Sequence, residues 1–185
     1  MISQGFRIWS TWEWEYWKYN GGAFGLARKW KDGNVCTDEG LNYLLNVGWP
    51  DSVVWDSSDY IEEWRLCVFE DDYTPLATDT YTSPGYTECD TLQDTPSRPI
   101  WQPGAAVGKS KSNVLNKASF TFALNKTIYG GAMVGGSSAS VIGDTTVDSE
   151  PTNVLFCASK FTDGSQLIVA GDVIKVTVTL SGASG

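Results

Sequence analysis

Trp64–Thr80 reads WRLCVFEDDYTPLATDT. Its first six residues alternate: Trp64, Leu66 and Val68 fall on one side of an extended chain, and Arg65, Cys67 and Phe69 on the other. Both sides are largely apolar, so this segment predicts a strand covered on both faces, inside a sandwich rather than at a wet edge. Glu70, Asp71 and Asp72 turn the chain back toward solvent. Pro75, with no N–H to donate, keeps the next residues out of a central ladder.

Toward the C-terminus the chain continues as short strands between turns. Residues 73–113 are rich in Thr, Ser, Pro, Gly and Asp and predict loops with one or two edge strands, Tyr86–Thr91 among them. Arg98-Pro99-Ile100-Trp101 reads as extended chain. Ala118–Leu124 predicts a strand with Phe120, Phe122 and Leu124 inward. Thr127–Val134 predicts another, with a bulge or a close backbone approach at Gly130-Gly131. Beyond the Gly/Ser/Asp-rich loop 135–151, strands are expected at Asn153–Phe161, Gln166–Ala170 and Val173–Leu180, the last two flanking a Gly171-Asp172 turn. In the final strand Ile174, Val176, Val178 and Leu180 form a buried face, and Lys175, Thr177 and Thr179 a wet one.

Toward the N-terminus, Thr37–Val47 is the best helix candidate. Thr37 can cap it, Asp38 and Glu39 suit its positive end, Leu41, Leu44 and Leu45 share a face, and Gly48 ends it. Residues 48–63 read as an irregular, solvated acidic loop. Asp51, Asp56, Asp59, Glu62 and Glu63 lack the spacing of a calcium-binding EF-hand. Residues 5–31 predict an aromatic β-hairpin turning at Asn20-Gly21-Gly22. Phe6, Ile8, Trp12, Trp14 and Tyr16 share one parity of its first strand, with Trp9, Trp17 and Tyr19 on the other. Phe24, Leu26 and Trp30 share one side of its second strand. A turn at Gly21-Gly22 would set Arg28 opposite Glu15, and one at Asn20-Gly21 would set it opposite Glu13. Trp9, Trp12, Trp14, Trp17 and Trp30 are too many for one face. They therefore mark either the main core or a partner-binding surface.

Composition narrows the function classes. The 185 residues suit one domain of sizeable core with an appendage, here a ribbon at residues 1–34 on a domain at 35–185. The net charge of −9 disfavours nucleic acid and anionic membranes as partners. The absence of histidine removes Ser-His-Asp and Cys-His chemistry and imidazole metal sites. Cys36, Cys67, Cys89 and Cys157 are widely spaced and read as buried free thiols. No signal core or bilayer-length apolar run is evident, so a soluble protein made without Sec export is expected. Gly104–Ser110 has three residues between its glycines instead of the four of a phosphate-binding P-loop, and strand-like sequence comes after it. It reads as a plain loop. Carboxylates are plentiful, yet no pair stands out as a glycosidase acid and nucleophile, so neither an enzyme nor a cofactor is expected.

The order of certain segments resembles a known family. It runs Lys31-Asp32-Gly33-Asn34, Thr37–Val47, Trp64–Thr80, Ser97-Arg98-Pro99-Ile100-Trp101, Ser119–Val134 and Val169–Leu180. This is similar to small structural proteins encoded in tailed-phage genomes. Those share a helix N-E-G-L-N-Y, a strand W-Y-V-G-L, a turn T-R-P-x-W and a final strand G-D-x-x-x-V-x-Y-T. The resemblance spans about residues 30–180, and Cys67 here stands at a family Gly position. It implies an all-β, antiparallel, jelly-roll-like β-sandwich and a virion component assembled in the host cytoplasm. The implied role is a capsid cement or decoration protein, homo-oligomeric, whose partners are the major capsid protein and its own copies. A tail, collar or fibre module binding a host glycan is the alternative.

Overall fold

The computed structural model describes residues 6–48, 61–90, 97–146 and 153–184. In chain order the first half forms β1 (Phe6–Tyr19), β2 (Phe24–Gly33), β3 (Val35–Cys36), α1 (Asp38–Gly48), β4 (Trp64–Phe69) and β5 (Ser110–Ser112). The second half adds β6 (Ala118–Thr121), β7 (Lys126–Ile128), β8 (Gly130–Gly135), β9 (Val154–Lys160), β10 (Gln166–Ile168) and β11 (Val173–Ser184). One sheet runs β2-β1-β11-β5, with β6 also paired to β11. The other runs β3-β9-β8-β4, and β7 pairs with β10 beside them. Every ladder is antiparallel. This is an all-β sandwich, with one short helix among the described residues.

Trp12, Trp14, Tyr16 and Trp30 from the first sheet share one apolar cluster with Leu66, Val68, Met133, Phe156 and Cys157 from the second. Trp12 stacks on Trp14 at 5.3 Å and Trp14 on Trp30 at 6.2 Å. Phe161 sets its edge against the last two. The buried indole N–H groups of Trp14 and Trp30 have no hydrogen-bond partner, so ring contacts hold them, joined at Trp30 by the Arg28 guanidinium 5.1 Å from the ring centroid. Removing one of them would cost about 3–5 kcal/mol.

The second sheet is covered on both faces, as the sequence of β4 predicts. Cys67, Ala132, Val134, Leu155 and Ala158 form a second cluster on its far side, roofed by Tyr81, Tyr86 and Ala139. A bulge in β9 makes this possible. Met133 pairs with Cys157 but Val134 with Leu155, so Phe156 is an extra residue and lies, like Cys157, on the inner side. The close approach expected at Gly130-Gly131 is present. A Cβ on Gly131 would stand 2.5 Å from the Cys67 carbonyl and 2.7 Å from the Trp14 ring.

The Thr37 hydroxyl accepts the Gly40 N–H at 3.0 Å and caps α1, while donating to the Leu155 carbonyl. Glu39 accepts the N–H groups of Leu155 (2.6 Å) and Tyr81 (2.9 Å). Burial nonetheless holds its carboxyl above the usual carboxylate range. Gly40 lets the helix lie against β9, since a Cβ there would meet the Phe156 carbonyl oxygen at 2.6 Å.

Several expectations are corrected. Thr127–Val134 is two strands in two different sheets, with Tyr129 between them. Leu124 lies beyond the end of β6 and is exposed, unlike Phe120 and Phe122. Thr177, expected on the wet face, is buried opposite Glu13 of β1. Around Tyr86 only an isolated bridge forms, between Phe69 and Glu88. Strand β10 stops at Ile168, short of Ala170. Gly104–Ser110, by contrast, is a loop as expected up to the start of β5, with a tight turn at Gly108-Lys109, both at positive φ, closed by reciprocal Val107–Ser110 hydrogen bonds. The ribbon is no separate appendage. Strand β1 pairs with β11 from Phe6↔Ser184 to Trp17↔Val173, so the boundary at residue 34 divides nothing in the first sheet. Asp51, Asp56 and Asp59 of the acidic loop lie outside the described residues, as do Thr91 and the end of the 135–151 loop.

Candidate functional site

The hairpin β1–β2 turns at Gly21-Gly22, where both residues have positive φ and Asn20 donates to the Ala23 carbonyl at 2.9 Å. Tyr19 therefore pairs with Phe24, and Trp17 with Leu26. The next pair is Tyr16↔Arg28, which leaves Ala27 as an extra residue. That residue changes the reading of the second strand. Arg28 faces neither Glu13 nor Glu15. Lys29 pairs with Glu15 and Lys31 with Glu13, each with an ion pair. Phe24, Leu26 and Trp30 share a parity in sequence but not a face. Trp30 points into the core, while Phe24 and Leu26 join Trp17 and Tyr19 outside.

The five tryptophans accordingly divide. Trp12, Trp14 and Trp30 are core residues, and none is presented to a partner. Trp9 is 43% exposed on the outer face, opposite Ser181. Trp17 is half-buried under the Lys175 ammonium, which lies 4.8 Å from its ring centroid. At the hairpin end Tyr19 (52% exposed) and Phe24 (50%) touch at 5.3 Å between ring centroids, next to Leu26 (50%). Sequence parity missed Phe24 and Leu26 as surface residues because nothing in the composition marks Ala27 as a bulge.

Buried polar groups hold this end of the ribbon. Asp172, read in sequence only as a turn residue, accepts the Tyr16 hydroxyl at 2.5 Å and the Tyr19 N–H at 2.9 Å. Burial, followed by that carboxylate, pushes the Tyr16 phenol well above its usual range. Toward the middle of the face, Glu15 accepts Lys117 at 2.7 Å and the Trp17 indole at 3.2 Å. Burial raises the Glu15 pKa, but the Lys117 and Trp17 hydrogen bonds outweigh it and leave the carboxyl below its usual range. Glu13 is also lowered, chiefly by the hydrogen bond from Lys31. The outer face is thus a charged middle with aromatic groups toward both ends.

A polar cluster sits over the far side of the second sheet. Arg98, only 4% exposed, forms a two-pronged contact with Glu88: Nε to Oε1 at 2.9 Å and Nη2 to Oε2 at 2.6 Å. It also donates to the Tyr81 hydroxyl and to the carbonyls of Ala139 and Asp144. Burial opposes the Arg98 charge, but the Glu88 hydrogen bond more than restores it and the pKa is raised. Burial pushes the Tyr81 phenol and the Cys67 thiol each up to about 12. A cavity of about 310 Å³ adjoins this cluster. With its donors directed to these acceptors, Arg98 acts as a clamp joining three loops. Sequence placed Arg98 in extended chain but carried no sign of its pairing. A second, largely apolar groove of about 540 Å³ opens between α1 and the ends of β1 and β11, lined by Ile8, Leu44, Phe156 and Leu180. Among the described residues, no three Cys, Asp or Glu side chains gather as a metal-binding group. No described helix is long and apolar enough to cross a membrane.

Comparison with known proteins gives no match to a family model, to a curated protein or to a solved structure.

Proposed function

We propose that this chain is a non-enzymatic structural protein of a tailed-phage virion, a cement or decoration protein that docks on the outer surface of the capsid shell. The observation that carries this reading is the apolar end of the hairpin. Trp17, Tyr19, Phe24 and Leu26 occupy adjacent ladder positions on one outer face, three of them half-exposed or more. Tyr19 and Phe24 run past the start of β11 at Val173, so they have no neighbouring strand on that side. Rings in this position supply contact area to a partner at little entropic cost, about 1 kcal/mol for each half-exposed side chain that becomes covered. The family resemblance across residues 30–180 and the sandwich architecture support the same reading.

The partners under this proposal are the major capsid protein and neighbouring copies of the chain. The test is the copy number in purified virions, measured by quantitative mass spectrometry against the shell subunit. A number comparable to the shell subunit supports a lattice-covering protein. A few copies per particle would move the chain to the tail, collar or fibres, and absence from the particle would overturn the proposal. Phe24→Ser combined with Leu26→Ser should weaken attachment to capsids at least tenfold while leaving the fold intact. Unchanged attachment would show that another surface makes the contact.

A further inference from the structure

No disulfide joins any of the four cysteines, but two of them face each other. Cys36 of β3 and Cys157 of β9 are direct partners in an antiparallel ladder. The Thr37 N–H donates to the Phe156 carbonyl at 3.1 Å, which puts Cys36↔Cys157 at a narrow, non-hydrogen-bonded position of that ladder. Cα atoms at such positions lie about 4.5 Å apart with their side chains on the same face, inside the range that a disulfide spans. Both side chains meet the same apolar cluster. Their surroundings are shared too: Asn34 Nδ2 lies 3.5 Å from the Cys36 sulfur, and the Ser10 hydroxyl 3.7 Å from that of Cys157.

The geometry points to Cys36 and Cys157 as a site of oxidative modification, a cross-strand disulfide formed within the native fold by exchange with a small disulfide such as oxidised glutathione. Cys36 is partly buried and Cys157 fully buried, so Cys36 is the more accessible of the two, which sets the order of events. The Cys36 thiol loses its proton, and its thiolate attacks the small disulfide, forming a mixed disulfide and expelling one thiolate. Cys157 then loses its proton and attacks the Cys36 sulfur, forming the protein disulfide and expelling the second. Two protein thiols give up two hydrogens, and one small disulfide becomes two small thiols. Burial raises the thiol pKa of both residues, so exchange at neutral pH is slow and the reduced pair persists where thiols prevail.

The site is selective. Cys67 lies on the opposite face of the second sheet from Cys157, in the other apolar cluster. Cys89 continues the sheet beyond β4, its N–H on the Val68 carbonyl. It is therefore three strand spacings from β9, about 14 Å. Neither can reach Cys157 without the sheet coming apart.

The test is to incubate the folded full chain with oxidised glutathione at mildly alkaline pH, quench with acid, count thiols and map peptides without reduction. The expected result is a fall from four thiols to two, with one cross-linked peptide pair joining Cys36 to Cys157. The oxidised protein should also unfold at a higher urea concentration, a shift reversed by reductant. The Cys36→Ser variant should keep its fold and show neither the link nor the shift, whereas Cys67→Ser with Cys89→Ser should show both. Four thiols surviving, a link through Cys67 or Cys89, or only intermolecular dimers would overturn the assignment.

Discussion

Replacing Glu88 by Gln tests whether the Arg98 clamp holds the second sheet's roof. The change preserves shape but removes the negative charge beside a guanidinium that is 4% exposed. It also sets an amide NH2 where Oε2 now receives Arg98 Nη2 at 2.6 Å and the Gly143 N–H at 2.7 Å. Breaking a buried pair from one side leaves an uncompensated charge, a loss of about 3–5 kcal/mol. With a urea slope of about 2 kcal/mol/M, the unfolding midpoint should fall by roughly 1.5–2.5 M at unchanged slope. Tryptophan fluorescence would track the transition, since Trp12, Trp14 and Trp30 lose their buried surroundings on unfolding. Glu88→Met with Arg98→Met should be less damaging than Glu88→Gln alone, since no unpaired charge remains. Recovery should be incomplete, because the carbonyls of Ala139 and Asp144 lose their donor. A Glu88→Gln loss under about 1 kcal/mol would refute the view that this pair is desolvated.

Other perturbations probe the remaining layers. Gly40→Ala gains about 1 kcal/mol of helix propensity but sets its Cβ 2.6 Å from the Phe156 oxygen; a net loss of about 1–3 kcal/mol is expected from urea titration. Deleting Ala27 should remove the bulge and leave Trp30 opposite Trp14 on the inner side, so tryptophan emission should stay unshifted; a red shift would show that this residue does not set the face of the second strand. The Glu13 and Glu15 carboxyls titrate below their ordinary value of 4.5 in the folded state. The folded protein therefore binds fewer protons than the unfolded chain, and their contribution, complete above that value, is lost as pH falls through the lowered range. Glu13→Gln with Glu15→Gln should flatten this acid limb of stability and leave its slope near neutral pH unchanged.

The parts of the fold visible in sequence are those set by period and turn chemistry. Alternation in β4 and β11 marked both their strand state and their buried sides. A turn within Asn20-Gly21-Gly22 and the Thr37 cap were legible because few residue types satisfy those backbone geometries, although which two residues make the turn was not. The hidden parts depend on partners distant in sequence. The bulges at Ala27 and Phe156 are set by the strands opposite them, and each reverses the face of every residue beyond it. The split between β7 and β8 at Tyr129 arises because the two strands find partners in different sheets. For the candidate surface, the density of aromatics was evident, but its division into three core and two outer tryptophans was not. Phe24 and Leu26 emerge as its outer members only once the extra residue is placed.

The pairing of β1 with β11 has a consequence for how the protein is made. The ladder partners of Trp12 and Trp14, Val178 and Val176, leave the ribosome more than 160 residues after them. At synthesis rates of about 5–20 residues per second that interval is on the order of ten to thirty seconds. The β1–β2 hairpin can form within microseconds of emerging and so shield one edge of the ribbon. Its other edge, and the stacked indoles, must wait for β11 to be made before they are covered. During that interval the nascent ribbon is an aromatic-rich open edge, and the part of the chain with most need of a chaperone.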